Sequence, residues 1–357
     1  MKILAIETSC DDTAIAVIQT KNGKKFKVLS NLVMTQDIHN QYGGVFPKMA
    51  KREHAKNILP LFKKALKQAK EYKKQNNNLT TEVEREPELT KNLNKFIQSI
   101  KKPDIDLITV TTGPGLELTL WVGINFAKAI NEVWNIPIIP VNHMEGHIFS
   151  IFPKKKKFKI RKVKFPIISL LISGGHTELV LIEDWGKYKV IGKTKDDAVG
   201  EAFDKVARML DLPYPGGPEI SKLAQKTKSP NFKLPRPMIQ IDNFDFSFSG
   251  LKTAVLYKLK EKNIKKDEMA KEFEDAVVEV LVHKTKKAIK KYNAKTLIVG
   301  GGVSANQKLQ KELKKLNIEV HLPPKGLSTD NALMIALAGY FNQKNSHPLK
   351  ADGNWKL

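Results

Sequence analysis

Ile3-Leu4-Ala5-Ile6-Glu7-Thr8-Ser9-Cys10-Asp11-Asp12-Thr13-Ala14-Ile15-Ala16-Val17-Ile18 opens the chain with an apolar run, a hydroxyl-rich acidic turn and a second apolar run. Two strands joined by such a turn predict a hairpin whose backbone N–H groups can cradle a phosphate. The plan recurs at 166–182. There Pro166-Ile167-Ile168-Ser169-Leu170-Leu171-Ile172 leads through Ser173-Gly174-Gly175-His176-Thr177-Glu178 into Leu179-Val180-Leu181-Ile182. One such hairpin is usually only a turn; a matched pair predicts two related lobes facing each other across a cleft.

Outward from the first hairpin, a helix is expected near 46–70. Residues 71–102 are rich in Lys, Asn and Glu, with almost no apolar periodicity before Phe96-Ile97, and read as a surface insertion, partly helical. A strand at 105–112 is broken by Gly113-Pro114-Gly115, and 116–133 has the spacing of a buried helix. Beyond the second hairpin come a helix from Gly200, a Tyr214-Pro215-Gly216-Gly217-Pro218 turn and a long amphipathic helix over 270–292. Thr296-Leu297-Ile298-Val299 then runs into Gly300-Gly301-Gly302-Val303-Ser304-Ala305-Asn306, a strand, glycine turn and helix start that lets a nucleotide lie against bare backbone. It lacks the Lys-Ser/Thr of a P-loop and the GxGxxG spacing. The expected division is 1–142 as first lobe, with its hairpin at 3–18 and the insertion at 71–102. The second lobe is 143–330, with its hairpin at 166–182 and the nucleotide motif at 300–306; a C-terminal helix and tail, 331–357, return to the first lobe.

Composition narrows the function. The 357 residues are 41% hydrophobic and 27% charged, ordinary for a protein with a large buried core. Lys plus Arg number 61 against 37 Asp plus Glu, a net charge of +24 that suits a polyanionic partner such as nucleic acid, although lysine bias alone also yields basic chains. Residues 153–165 hold eight Lys or Arg in thirteen positions, a loop able to steer a polyanion. A lone cysteine, Cys10, excludes a disulfide framework and points to a reducing compartment. There is no 18-residue apolar run and no signal peptide, so a cytoplasmic location without a membrane is expected.

After the apolar run 136–141 comes Asn142-His143-Met144-Glu145-Gly146-His147. On a helix the i, i+4 spacing sets both imidazoles on one face, close enough to share a cation. Such pairs also arise incidentally, as caps or surface residues. Two histidines under-coordinate an ion, so a third ligand is needed; a carboxylate is favoured, and Asp330 is the best candidate, against a bland role in which Ser328 to Asp330 cap the following helix. In HExxH proteases the Glu directly follows the first His. Here Met144 takes that place, and Glu145 lies about 100° further round the helix, which disfavours protease chemistry.

Ile6-Glu7-Thr8-Ser9-Cys10-Asp11, His143-Met144-Glu145-Gly146-His147, Ser173 to Thr177, Gly200-Glu201-Ala202-Phe203-Asp204-Lys205, Tyr214 to Pro218, Phe246-Ser247-Phe248-Ser249-Gly250-Leu251-Lys252, Gly301 to Asn306 and Thr329-Asp330-Asn331-Ala332 together resemble the TsaD family, the tRNA N6-adenosine threonylcarbamoyltransferases, in its bacterial-type branch. The resemblance spans nearly the whole chain in order. It implies an α/β, two-lobed, actin/sugar-kinase-like (ASKHA) fold with mixed sheets flanked by helices. It implies transfer of a threonylcarbamoyl group from threonylcarbamoyl-adenylate to N6 of adenosine 37 in tRNAs reading codons that begin with A.

By the same resemblance His143, His147 and Asp330 match metal ligands for one divalent ion, Fe(2+) foremost and Zn(2+) second. Leu171, Ile172, Ser173, Gly174, Gly175, Asp204, Gly217 and Asn306 match positions holding an adenylate or ATP-type nucleotide, and Asp11 an acidic residue near the reacting centre. The implied partners are the tRNA anticodon loop, a TsaB-like paralogue, a TsaE-like ATPase and a threonylcarbamoyl-adenylate synthase. Leu116 to Trp121 replaces the smaller residues of the pattern where that paralogue would dock. The competing readings are an ATP-binding actin/sugar-kinase-like phosphotransferase or ATPase, and a metalloprotease.

Overall fold

The computed structural model describes residues 1–42, 44–261, 263–344 and 347–357. The chain divides into two compact units: Met1–His39, Val45–Arg161 and Asp330–Leu357 form one, Asn40–Gly44 and Lys162–Thr329 the other.

In the first unit β1 (Lys2–Glu7), β2 (Asp12–Thr20) and β3 (Lys25–Thr35) form an antiparallel meander, followed by α1 (Pro47–Ala69) and α2 (Pro87–Ile97). Next come β4 (Leu107–Gly113), α3 (Glu117–Trp134), β5 (Ile138–Asn142), α4 (His143–Phe149) and β6 (Lys157–Lys159). The sheet order is β5-β4-β1-β2-β3-β6, with β4 and β5 parallel to β1. The opening hairpin pairs Ile3 with Ile18 and Glu7 with Ala14. Its strands are buried on both faces, which is why they read as continuous apolar runs rather than alternating ones.

The second unit runs β7 (Ile167–Ile172), β8 (Thr177–Asp184), β9 (Lys187–Lys193), α5 (Val199–Met209), α6 (Gly216–Ala224), α7 (Ser249–Lys258), α8 (Lys266–Lys291), β10 (Thr296–Gly300), α9 (Gln307–Leu313) and β11 (Glu319–His321). Its order, β11-β10-β7-β8-β9, repeats the first sheet's plan: an antiparallel meander with two parallel strands added beside its first strand. Gly301, at φ +88, makes the turn after β10; a Cβ there would lie 2.3 Å from the carbonyl oxygen of Ile172, so only glycine fits. The chain then returns to the first unit in α10 (Ala332–Phe341).

Three expectations need correction. The division falls between Arg161 and Lys162, not at 142/143, because α4 packs on α10 and β5 within the first unit. Residues 71–102 are not simply a surface insertion. Helix α2 turns Leu89, Leu93, Phe96 and Ile97 into the first core, with Phe96 edge-on to Phe62 at 5.9 Å. Those four positions follow helical spacing, but abundant Lys and Asn on the other face masked it. The basic stretch 153–165 is not wholly loop, since β6 pairs with β3 through Lys25↔Lys159, Phe26↔Phe158 and Lys27↔Lys157. Among the described residues no helix is long and apolar enough to cross a membrane.

Candidate metal centre

Asn142 ends β5 and caps α4, its Oδ1 accepting from the backbone N–H of Met144 at 2.9 Å and of Glu145 at 3.3 Å. That cap makes His143 the first helical residue and sets His147 one turn on, with ring centroids 4.7 Å apart. Gly146 lets the next helix approach: a Cβ there would meet Ile335 Cδ1 at 2.9 Å and Met334 Cγ at 3.1 Å, both on α10. The N-cap of α10 is Asn331, whose Oδ1 accepts from Met334 N, so the expected capping role of Ser328 to Asp330 falls to the next residue. The Asp330 carboxylate is left to the histidines. Its Oδ1 is 3.4 Å from His143 Nε2 and 3.3 Å from His147 Nε2, and the three donor atoms lie within 4.8 Å of one another.

The chemistry of this donor set suits a cation. Among the described residues Nδ1 of the fully buried His147 has no hydrogen-bond partner and Nε2 faces only Asp330, out of good hydrogen-bond alignment, an arrangement that costs free energy unless something else satisfies the ring. Burial also pushes the His147 imidazole below its usual range, favouring the neutral form that ligates. For His143, burial works the same way, but Asp330 and Glu7 together raise its proton affinity well above normal. Burial opposes ionisation of Asp330 too; His143 and then His147 nevertheless hold its carboxyl far below the usual range.

Glu7 was not singled out by its sequence position, although it ends β1 beside the site. Its Oε2 is 3.1 Å from His143 Nδ1 and accepts from Thr111 Oγ1 at 2.5 Å, while its Oε1 accepts from Ser9 N at 2.5 Å. Burial works against its charge, yet His143 holds it ionised below the usual carboxylate range. Ser9 Oγ also stands 3.2 Å from His143 Nδ1. The first hairpin turn therefore supports a histidine, and its Ser9 N–H is spent on Glu7 rather than kept for a phosphate. Asp11 follows in the same turn and Asp12 opens β2. Burial, then the negative charge of Asp330, raises the Asp11 carboxyl, and the same causes push Asp12 up to about 7. Glu145 is buried and accepts from Asn342 Nδ2 at 3.2 Å on the α10 side.

The remaining predicted residues belong to the second unit. Leu171 and Ile172 have fully buried side chains in β7, behind the loop they feed. Ser173 N donates to His176 O at 2.8 Å and Ser173 Oγ accepts from His176 N at 3.1 Å, closing a loop with Gly174 and Gly175 exposed at its tip. Asp204 Oδ1 accepts from Gly216 N at 2.7 Å, and Gly217 has open space where a Cβ would be. Asn306 caps α9 through Oδ1, while its Nδ2 donates to Glu274 Oε1 at 2.7 Å and Ser221 Oγ at 3.0 Å. Its side chain is thus committed to structure.

Two sheets built on one hairpin plan define the actin/sugar-kinase-like class of α/β protein, and solved structures agree. Full-length HypF in the phosphate- and nucleotide-bound form matches with TM-score 0.57 at 12% identity, over 98% of this chain and 47% of that one. HypF of T. kodakarensis matches with TM-score 0.54 at 14% identity, over 95% of this chain and 47% of that one. At such identity the likeness shows the fold alone. The family is shown by sequence: the family profile of TsaD, tRNA N6-adenosine threonylcarbamoyltransferase, matches residues 27–77 and 86–337. A tRNA N6-adenosine threonylcarbamoyltransferase of Persephonella marina is 43% identical over 354 residues, covering 97% of this chain and 91% of its relative. One from Bacillus cereus is 42% identical over 348 residues, covering 94% and 90%. The chain belongs to the TsaD family of threonylcarbamoyl transferases.

Proposed function

We propose that this protein transfers the threonylcarbamoyl group from threonylcarbamoyl-adenylate to N6 of adenosine 37 in tRNAs reading codons that begin with A. The observation that carries this reading is family membership over nearly the full chain, joined to a His143, His147 and Asp330 cluster whose donor atoms converge. Those three residues would hold one divalent ion through His143 Nε2, His147 Nε2 and an Asp330 carboxylate oxygen, Fe(2+) foremost and Zn(2+) second. The chemistry such an ion supplies when bound is Lewis-acid polarisation of the carbamoyl oxygen.

The residues of the chain do the rest. The N6 lone pair of adenine is delocalised into the ring, so the acyl donor must carry a good leaving group, which a mixed anhydride with AMP provides. The new C–N bond forms at the carbamoyl carbon, the C–O bond to the phosphate breaks, and AMP departs. The N6 proton goes to Asp11, whose raised carboxyl is a better base than an ordinary aspartate. Asp12, pushed up to about 7, stands beside it. The exposed loop of Ser173, Gly174 and Gly175, with Leu171 and Ile172 behind it, would take the adenylate together with Asp204 and Gly217. Asn306 would contribute by holding the start of α9. A base splayed from the anticodon loop is accessible to such chemistry, and the net charge of +24 suits tRNA phosphates. A TsaB-like paralogue, a TsaE-like ATPase and a donor-supplying synthase complete the proposed system, in the cytoplasm.

The test is transfer of labelled threonine into an unmodified ANN-decoding tRNA, given the synthase and partner proteins. Label at adenosine 37 with the wild-type chain and none with His143→Ala supports the reading. No label with any partner set overturns it.

A further inference from the structure

Lys25-Phe26-Lys27 and Lys157-Phe158-Lys159 are the same tripeptide, 132 positions apart by numbering, and β3 and β6 set them directly opposite in antiparallel register. Alternation puts both phenylalanines on one face and all four lysines on the other. Phe26 and Phe158 are 2% and 8% exposed, stack with centroids 5.6 Å apart, and pack on α10, where Tyr340 meets Phe26 edge-on at 5.2 Å. Val28 N donates to Lys156 O at 2.7 Å and Ile160 N to Lys24 O at 3.0 Å, extending the ladder at each end. The platform is therefore rigid. Lys25, Lys27, Lys157 and Lys159 are exposed, as are Lys24 and Lys154 to Lys156, and among the described residues none of them makes an ion pair.

Like charges directly opposite one another destabilise a sheet, so this arrangement works against the fold. Lysines on an edge strand commonly deter pairing with another sheet. That accounts for β6, which is the edge, but not for Lys25 and Lys27 on the covered strand β3. We propose that the ladder is a sequence-independent contact for the phosphate backbone of the RNA substrate. The inference rests on the tRNA reading above. Register places the ladder at the far end of the sheet from the metal centre: Phe26 lies opposite Thr20, whereas Asp12 begins β2 and Glu7 ends β1. Eight residues of strand, at about 3.3 Å each, separate the two ends by roughly 26 Å. The lysines hold the RNA backbone at a distance and do not touch the reacting base.

The experiment replaces Lys25, Lys27, Lys157 and Lys159 by Gln and compares this variant with one carrying Lys286, Lys290, Lys311 and Lys314 all changed to Gln, an equal loss of charge in the second unit. Full-length tRNA binding is measured from about 50 to 200 mM salt, together with kcat and KM for transfer. The slope of log affinity against log salt should fall by about three to four for the ladder variant, and KM for tRNA should rise at least tenfold with kcat unchanged. The control should keep most of the wild-type slope. Equal behaviour of the two variants, or an unchanged slope in the ladder variant, overturns the proposal while wild-type transfer leaves the reaction intact. A ladder variant that keeps tRNA binding and loses binding to phosphatidylserine vesicles overturns it in favour of a membrane surface. If wild type neither binds nor modifies tRNA, the functional reading fails and takes this inference with it.

Discussion

Replacing Glu7 by Gln should weaken metal binding at the His143, His147 and Asp330 cluster by about 10- to 100-fold, about 1.4–2.7 kcal/mol. Both Glu7 oxygens are in use: Oε1 takes the Ser9 N–H at 2.5 Å, and Oε2 takes Thr111 Oγ1 at 2.5 Å and faces His143 Nδ1 at 3.1 Å. An amide has one acceptor oxygen. If it serves Ser9, its NH2 confronts the Nδ1–H that His143 must keep for Nε2 to ligate; if it turns round, it confronts Ser9 N–H. Either way the imidazole loses the charged partner that fixes its orientation and raises its basicity. The assay is competition for Fe(2+), anaerobically, and for Zn(2+) against a chromogenic chelator, with thermal unfolding run in parallel. Glu145→Gln is the control, because Glu145 engages Asn342. An unchanged metal affinity in Glu7→Gln, or an equal loss in Glu145→Gln, would refute the argument that Glu7 orients the ligand.

Three further outcomes are expected. Asp330→Asn should abolish tight metal binding and transfer while leaving helix α10 formed, since Asn331 supplies its cap; loss of folding, seen by circular dichroism, would contradict that division of roles. Buried His54, hydrogen-bonded through Thr13 Oγ1 at 2.8 Å and Cys10 O at 2.9 Å, has its pKa lowered by burial from 6.5 to about 4. Between those values the unfolded chain binds the proton more readily, so up to about 3 kcal/mol of stability should be lost as pH falls from 6.5 to 4. Urea unfolding of the wild type should show that fall and His54→Gln a visibly flatter profile; parallel profiles would count against it. Gly146→Ala should cost about 1–3 kcal/mol by forcing α4 off Ile335 and Met334, and should also loosen metal binding, as read by the same competition assay.

What was legible in the sequence were features that repeat over short distances. The hairpin plan at 3–18 and again at 166–182 announced two sheets of one design, because strands buried on both faces need unbroken apolar runs. The His143 and His147 spacing announced a shared face, because a helix turns every 3.6 residues. Local pattern also misled. Acidic and hydroxyl residues at 328–330 looked like a cap that Asn331 provides, and the polar face of 87–97 concealed the apolar one. Asn306, placed near the nucleotide by the family resemblance, also caps α9 and meets Glu274 and Ser221, partners that only the fold brings to it.

The sequence by itself determined the two hairpins, the buried and amphipathic helices at 116–133 and 270–292, and the shared face of His143 and His147. Only the tertiary structure decided that Glu7 at the end of β1 stands behind His143, that the chain divides at Arg161, and that two identical Lys-Phe-Lys tripeptides meet as a ladder. The physical reason is range. Backbone periodicity is set by neighbours a few residues away, whereas register between distant segments is selected by the burial of whole faces, which no single stretch contains.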